Sequence, residues 1–186
     1  MATADRKLPR VDLRKYLAGG VAGRREVVAL IGDALRESGG VRIEGHDVAV
    51  DDHAAVAVVA DHLLEALAEY FGLEAGTFLG AAGATASTAG AVAIADVLRG
   101  ALLVVLPAVP AGAEVRSLEG AWTPVAARPG ELLAVPGGAL CLLTGNVVPA
   151  AALRWRDAEG VRAVVVAPRA AAELRPLAEF GGTRHL

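Results

Sequence analysis

The chain has 186 residues, 54% of them apolar but only 4% aromatic, with a formal net charge of -3. That length suits one domain that buries a core without disulfides or metals, and the slightly acidic balance argues against a nucleic-acid surface, which needs a concentrated basic face. The single cysteine, Cys141, excludes an internal disulfide; its apolar neighbours, with no histidine beside it in sequence, predict a buried structural thiol rather than a nucleophile.

The opening MATADRKLPR is polar and lacks the apolar core of a signal peptide, so export is not expected and the compartment is read as cytoplasmic. Arg24 to Ser38 places Val27, Leu30, Ile31, Ala34 and Leu35 at helical spacing, and Gly39-Gly40 stops that helix. A second helix is predicted after Asp51 or Asp52, either of which can cap it, with Val56, Val59, Leu63, Leu64, Leu67 and Tyr70 as its apolar face. His53 and His62 stand nine residues apart on that helix and point to opposite faces. With Asp51, Asp52 and Asp61 they read as a solvated face, not a metal site.

GAAGATASTAG, Gly80 to Gly90, has glycines but no Lys-Ser/Thr pair, which excludes a phosphate loop. It is expected as a loop or weak strand at a pocket mouth, where Ser87 and Thr88 would touch a ligand. Ala84 to Val115 is the longest apolar region, but Asp96, Arg99, Pro107 and Pro110 interrupt it, so no membrane span is predicted. From Pro129 to Pro168 come short runs: Glu131 to Val135, Ala139 to Leu143, Ala150 to Trp155 and Val161 to Ala167. Pro136-Gly137-Gly138, Thr144-Gly145-Asn146 and an Asp-Ala-Glu-Gly loop separate them. Short strands so spaced predict a sandwich or jelly roll.

The order of these segments resembles the isopenicillin N synthase-like, Fe(II)- and 2-oxoglutarate-dependent oxygenases. Pro9, Asp12 and Leu13 stand at the first strand of that pattern. Glu37, Gly39, Val41, Ile43, Gly45, His46, Asp47 and Val48 follow its Glu-x-Gly-Phe strand and Asn-His-Gly-Val turn, where the histidine is structural. Gly100, Ala101 and Leu102 match the strand after the His-x-Asp pair, and Trp122, Pro124, Val125, Pro129, Gly130, Leu132, Gly137, Leu140, Leu143, Thr144, Gly145 and Arg154 follow in order. Glu173 to Phe180 is similar to the closing Pro-Leu segment. The resemblance implies a double-stranded β-helix (jelly roll), α+β and mainly β, in one domain. Residues 1–80 would supply an N-terminal strand and helices, and 81–186 the jelly-roll core. The excursion that normally follows Val48 is missing, which implies a shortened member.

The same register puts Asp96, Leu98 and Leu153 at the three iron-ligand positions. Two imidazoles and one carboxylate are needed there, and a leucine has no lone pair to donate, so neither metal nor cofactor is expected. Arg162 matches the co-substrate arginine, but Val164 replaces the serine two residues later. Strand alternation puts Ala151 and Trp155 on the face of Leu153, and Arg162, Val164 and Val166 on one face that the resemblance turns inward.

The expected pocket is therefore lined by Leu98, Leu153, Trp155, Val164 and Val166, with Asp96 and Arg162 as catalytic charges or as an ion pair. A metal-independent cyclase, isomerase or lyase of a bacterial natural-product pathway, acting on a small apolar and anionic substrate, is the first expectation. The alternatives are a non-catalytic pseudo-oxygenase that serves as a binding or partner protein, and a divergent Fe(II)/2-oxoglutarate oxygenase. A homodimer, or a complex with a pathway enzyme, is expected to cover the apolar surface.

Overall fold

The structure, a computed structural model, describes residues 7–80, 82–89, 91–125, 128–155 and 161–168; within these ranges the side chains of 80, 82–89, 91–95 and 161 are not described. The chain begins with β1 (Arg10–Asp12), α1 (Leu13–Ala18) and α2 (Gly20–Asp33), which runs on into a π-helical turn (Ala34–Ser38). Asp12 caps α1, its Oδ1 accepting from the Arg14 amide at 3.1 Å. Gly39, at φ 74°, ends the second helix, as the sequence expects.

β2 (Val41–Glu44) leads through eight residues to α3 (His53–Tyr70). Asp52 is the cap, accepting from the amides of Ala54 and Ala55 at 3.0 and 3.1 Å. At the other end Leu73 donates to the Ala68 carbonyl and Gly72 to that of Glu69, a Schellman closure with Gly72 in the left-handed region. Val56, Val59, Ala60, Leu63, Leu64 and Leu67 form the buried face. Among the described residues no helix is long and apolar enough to cross a membrane.

The strands β3 (Ala82–Ala89), β4 (Leu103–Leu106), β7 (Leu132–Pro136) and β9 (Val161–Pro168) join β1 and β2 in a six-stranded sheet of order β1-β2-β7-β4-β9-β3. Only the β1–β2 pair is parallel. A smaller sheet, β6-β5-β8, is built from β5 (Glu114–Arg116), β6 (Trp122–Pro124) and β8 (Leu153–Arg154). The short helices α4 (Thr77–Gly80), α5 (Ala91–Gly100) and α6 (Gly138–Leu143) complete the chain.

Alternation divides the large sheet into two apolar faces. Val41, Ile43, Leu103, Val105, Leu132, Ala134, Val164 and Val166 pack in one cluster with α2 and α3. Val104, Leu106, Leu133, Val135, Ala163 and Val165 pack in another with Val115 and Leu153 of the small sheet. The molecule is thus three layers, helices on a large sheet on a small sheet. Strands β4 and β7 are buried at every residue because both of their faces are covered.

One expectation is corrected by the structure and one is narrowed to a strand. Ala139 to Leu143, read as a strand, is helix α6, because Ala and Leu are strong helix formers and no described strand pairs with the run. Gly80 to Gly90, read as a loop or weak strand, contains the full-length strand β3, paired with β9 from Ala82↔Pro168 to Ala89↔Val161. The glycines that precede α6 have a packing cause: a Cβ on Gly137 would stand 2.1 Å from the Ala101 carbonyl oxygen, and one on Gly138 2.5 Å from that of Arg99. Gly137→Ala should therefore cost about 2 kcal/mol or more in urea unfolding, against little change for Gly100→Ala, whose Cβ meets nothing within 4 Å.

Candidate functional site

The residues singled out from sequence are only partly brought together. Leu98, on α5, is 5% exposed and belongs to the cluster between the sheets, and Leu153 packs against that same cluster. Ala151 and Trp155 join it, as alternation requires, while Arg154 points away to Glu114, Nε to Oε2 at 2.7 Å, with its guanidinium 4.0 Å from the centroid of the Trp122 ring. Two positions implied as iron ligands are thus leucines in a continuous aliphatic core.

The charged pair of the expected pocket does not form. Asp96 is exposed on α5 and pairs one helical turn away with Arg99, Nη2 to Oδ1 at 2.9 Å. Arg162 is exposed near the start of β9. Val164, expected to line the pocket, turns the other way, onto the helices. The residues of β9 that face the small sheet are Ala163 and Val165. Since both faces of this strand are apolar, alternation alone could not say which would point inward. The side chains of Ser87 and Thr88 lie outside the described residues; their backbone is in β3, opposite Ala163 and Arg162.

Between the sheets the described side chains form an apolar cluster. Leu98, Ala101, Val104, Leu106, Ala113, Val115, Val125, Leu133, Val135, Ala163 and Val165 are all buried in one cluster. Described residues also form two grooves at the surface. One, of about 350 Å³, is lined by Arg24, Glu65, Glu69, Gly72, Leu73 and Ala75, and the other, of about 270 Å³, by Gly112, Glu114, Arg154 and Trp155. Trp155 touches both the second groove and the cluster, and its indole N–H is buried without a hydrogen-bond partner among the described residues.

Sequence reasoning passed over a charged group at the β1 edge. Arg42 lies opposite Leu133 and beside Arg10 in register, so both arginines stand on the small-sheet side. Arg42 is buried, donates from Nε and Nη2 to the Leu8 carbonyl at 3.2 and 2.9 Å, and has Nη1 3.7 Å from Glu131 Oε2. Arg10 Nε lies 2.8 Å from Glu131 Oε1, and the Arg128 amide donates to Oε2 at 3.0 Å. Burial lowers the Arg42 pKa from its ordinary value, against the attraction of Glu131. The signal was present in VRIE, where charge alternates with the apolar Val41 and Ile43. It reads as an ordinary solvated face until β1 and the Leu8 carbonyl close over it.

His46 is structural, as expected. Its Nδ1 accepts from the Val48 amide at 3.2 Å, which leaves the proton on Nε2 for the Gly130 carbonyl at 2.7 Å. Cys141 is half-buried rather than buried, with Sγ 3.0 Å from Asn146 Oδ1.

This arrangement, helices on one face of a large, mostly antiparallel sheet and a small sheet on the other, is shared with solved structures. No family model matches the sequence, and no curated protein does. Solved structures do. A 2OG-Fe(II) oxygenase family protein from Caulobacter crescentus matches at a TM-score of 0.70 and 14% identity, covering 95% of this chain and 92% of that one. A full-length protein from Neurospora crassa, in complex with alpha-KG, matches at 0.70 and 10%, covering 99% and 93%. The dioxygenase for auxin oxidation 1 from Arabidopsis thaliana, in its 2-oxoglutarate complex, matches at 0.68 and 14%, covering 96% and 99%. At such identities the likeness is one of fold.

The three positions that the resemblance implies as iron ligands do not by themselves make a donor set. Asp96 is engaged with Arg99 at the surface, and Leu98 and Leu153 have no donor atoms. Among the described residues no three His, Cys, Asp or Glu side chains are grouped to hold a metal. Arg162→Ala and Asp96→Asn should each change unfolding free energy by less than about 0.5 kcal/mol, as exposed substitutions do. Glu131→Ala, which leaves Arg42 without its carboxylate, should cost about 3 kcal/mol in the same urea titration.

Proposed function

We propose that this chain is a pseudo-oxygenase: a shortened double-stranded β-helix that has kept the oxygenase fold and acts by binding a partner protein rather than by catalysis. The observation that carries the reading is the aliphatic cluster between the sheets, which takes up Leu98 and Leu153 and leaves Asp96 and Arg162 outside it. A catalytic site needs convergent polar groups in a cavity. A cyclase, isomerase or lyase built on Asp96 as base and Arg162 as anion clamp would need these two side chains on one apolar wall. Asp96 sits instead on a helix and pairs with its own neighbour.

A protein that binds rather than turns over keeps its fold under a weaker constraint, since a packed core tolerates no ligand but presents a rigid surface. The natural partner on this reading is an enzyme of the same pathway. The divergent-oxygenase reading draws its support from the fold shared with the Neurospora and Arabidopsis proteins. Incubation with Fe(II), ascorbate and 2-oxoglutarate separates the two. The proposal expects no succinate above a protein-free control and a change in Tm under about 1 °C with 2-oxoglutarate and Fe(II). Protein-dependent succinate release would overturn it.

A further inference from the structure

We infer that β3 is a self-association edge, through which two copies of this chain join their large sheets into one across a two-fold axis. β3 is the last strand of the six, and all eight of its residues pair with β9 on one side. No described strand pairs with its other side. Successive residues of a strand direct their N–H and C=O groups to opposite edges, so half of the backbone groups of β3 face outward along an edge about 26 Å long.

Exposed edges in soluble proteins are blunted by short length, a lysine, a proline or a bulge. β3 has none of these. Its sequence is AGATASTA, and no Asp, Glu, Lys, Arg or Pro occurs anywhere between Glu74 and Asp96. The opposite edge of the same sheet shows the contrast: β1 has three residues, RVD, two of them charged.

The occupant follows from self-complementarity. A two-fold axis pairs an edge with itself in antiparallel fashion, so the requirement is that the strand fit its own reverse. AGATASTA does, since it holds only Ala, Gly, Ser and Thr. Pairing centred on Ala86 sets Thr85 of each strand opposite Ser87 of the other, a favourable cross-strand combination with no charge or bulk to oppose it. The sequence of this edge offers no charged or bulky residue to select a partner of another chemistry. A second copy needs none, because the main-chain groups supply the contact and the symmetry supplies the register.

Thr85→Pro and Ala86→Pro test this together, because one of the two must remove an outward N–H and leave the β3–β9 ladder intact. Sedimentation equilibrium of the full chain should give twice the 18.8 kDa chain mass for the wild type. One of the two variants should give a folded species of single mass. Hydrogen exchange provides the second measurement: alternate amides within 83–89 should gain protection as wild-type concentration rises. A wild type that stays monomeric at high concentration, two folded variants that both remain dimeric, or outward amides that exchange at one rate at every concentration would each overturn the inference. If both variants unfold, the concentration dependence of exchange decides alone. The succinate assay is independent of all of these outcomes.

Discussion

The constraint on which the rest of the structure depends is that the large sheet is covered on both faces. Strands with one solvated face alternate apolar and polar residues, and strands buried on both sides are apolar throughout. LVVL in β4 and LLAVP in β7 are of the second kind, and every residue in both is buried. Helices α2 and α3 take one face and the small sheet takes the other. The second of these interfaces is lined, among the described residues, by Val, Leu and Ala.

Two polar contacts tie elements of this arrangement together. Arg42 and Arg10 would repel each other as cross-strand neighbours, but Glu131 reaches both, and the Leu8 carbonyl takes two donors from Arg42. The cluster fastens the segment leading into β1 onto β2 and β7, at the end of the sheet away from β3. On the helical side, Tyr70 donates to Asp33 at 2.7 Å, linking α3 to α2. Burial and that hydrogen bond push the Tyr70 pKa up to about 12. Its ring leaves room only for glycine at position 32, where a Cβ would come within 2.3 Å of it.

Much of the fold was legible in the sequence. The Asp52 cap, the buried stripe of α3 and the turn at Gly39 follow from local chemistry that tertiary context did not override, while the structural role of His46 is what the resemblance implies. The shared face of Ala151, Leu153 and Trp155 follows from strand alternation. Two things were not legible. Alternation assigns Arg162, Val164 and Val166 to one face of β9, but with Ala163 and Val165 equally apolar it cannot say which face meets the small sheet. The resemblance puts Asp96 and Leu98 at the His and Asp positions without settling the conformation of AVAIADVLRG, whose Ala, Leu and Arg content favours the helix it forms, and Asp96 is exposed on that helix. The site expected at Asp96 and Arg162 failed at these two steps, while the leucines at positions 98 and 153 behave as their chemistry dictates.

The packed interior between the sheets is the central claim, and truncation of a side chain that faces it is the direct measurement. Leu133 lies on β7 between Leu106 and Arg42 in register and is fully buried. In a close-packed core Leu133→Ala removes three carbons and leaves a cavity, so urea unfolding should show a loss of about 3 kcal/mol. A loss under about 0.5 kcal/mol, as expected for a side chain that lines a hydrated pocket, would contradict the account.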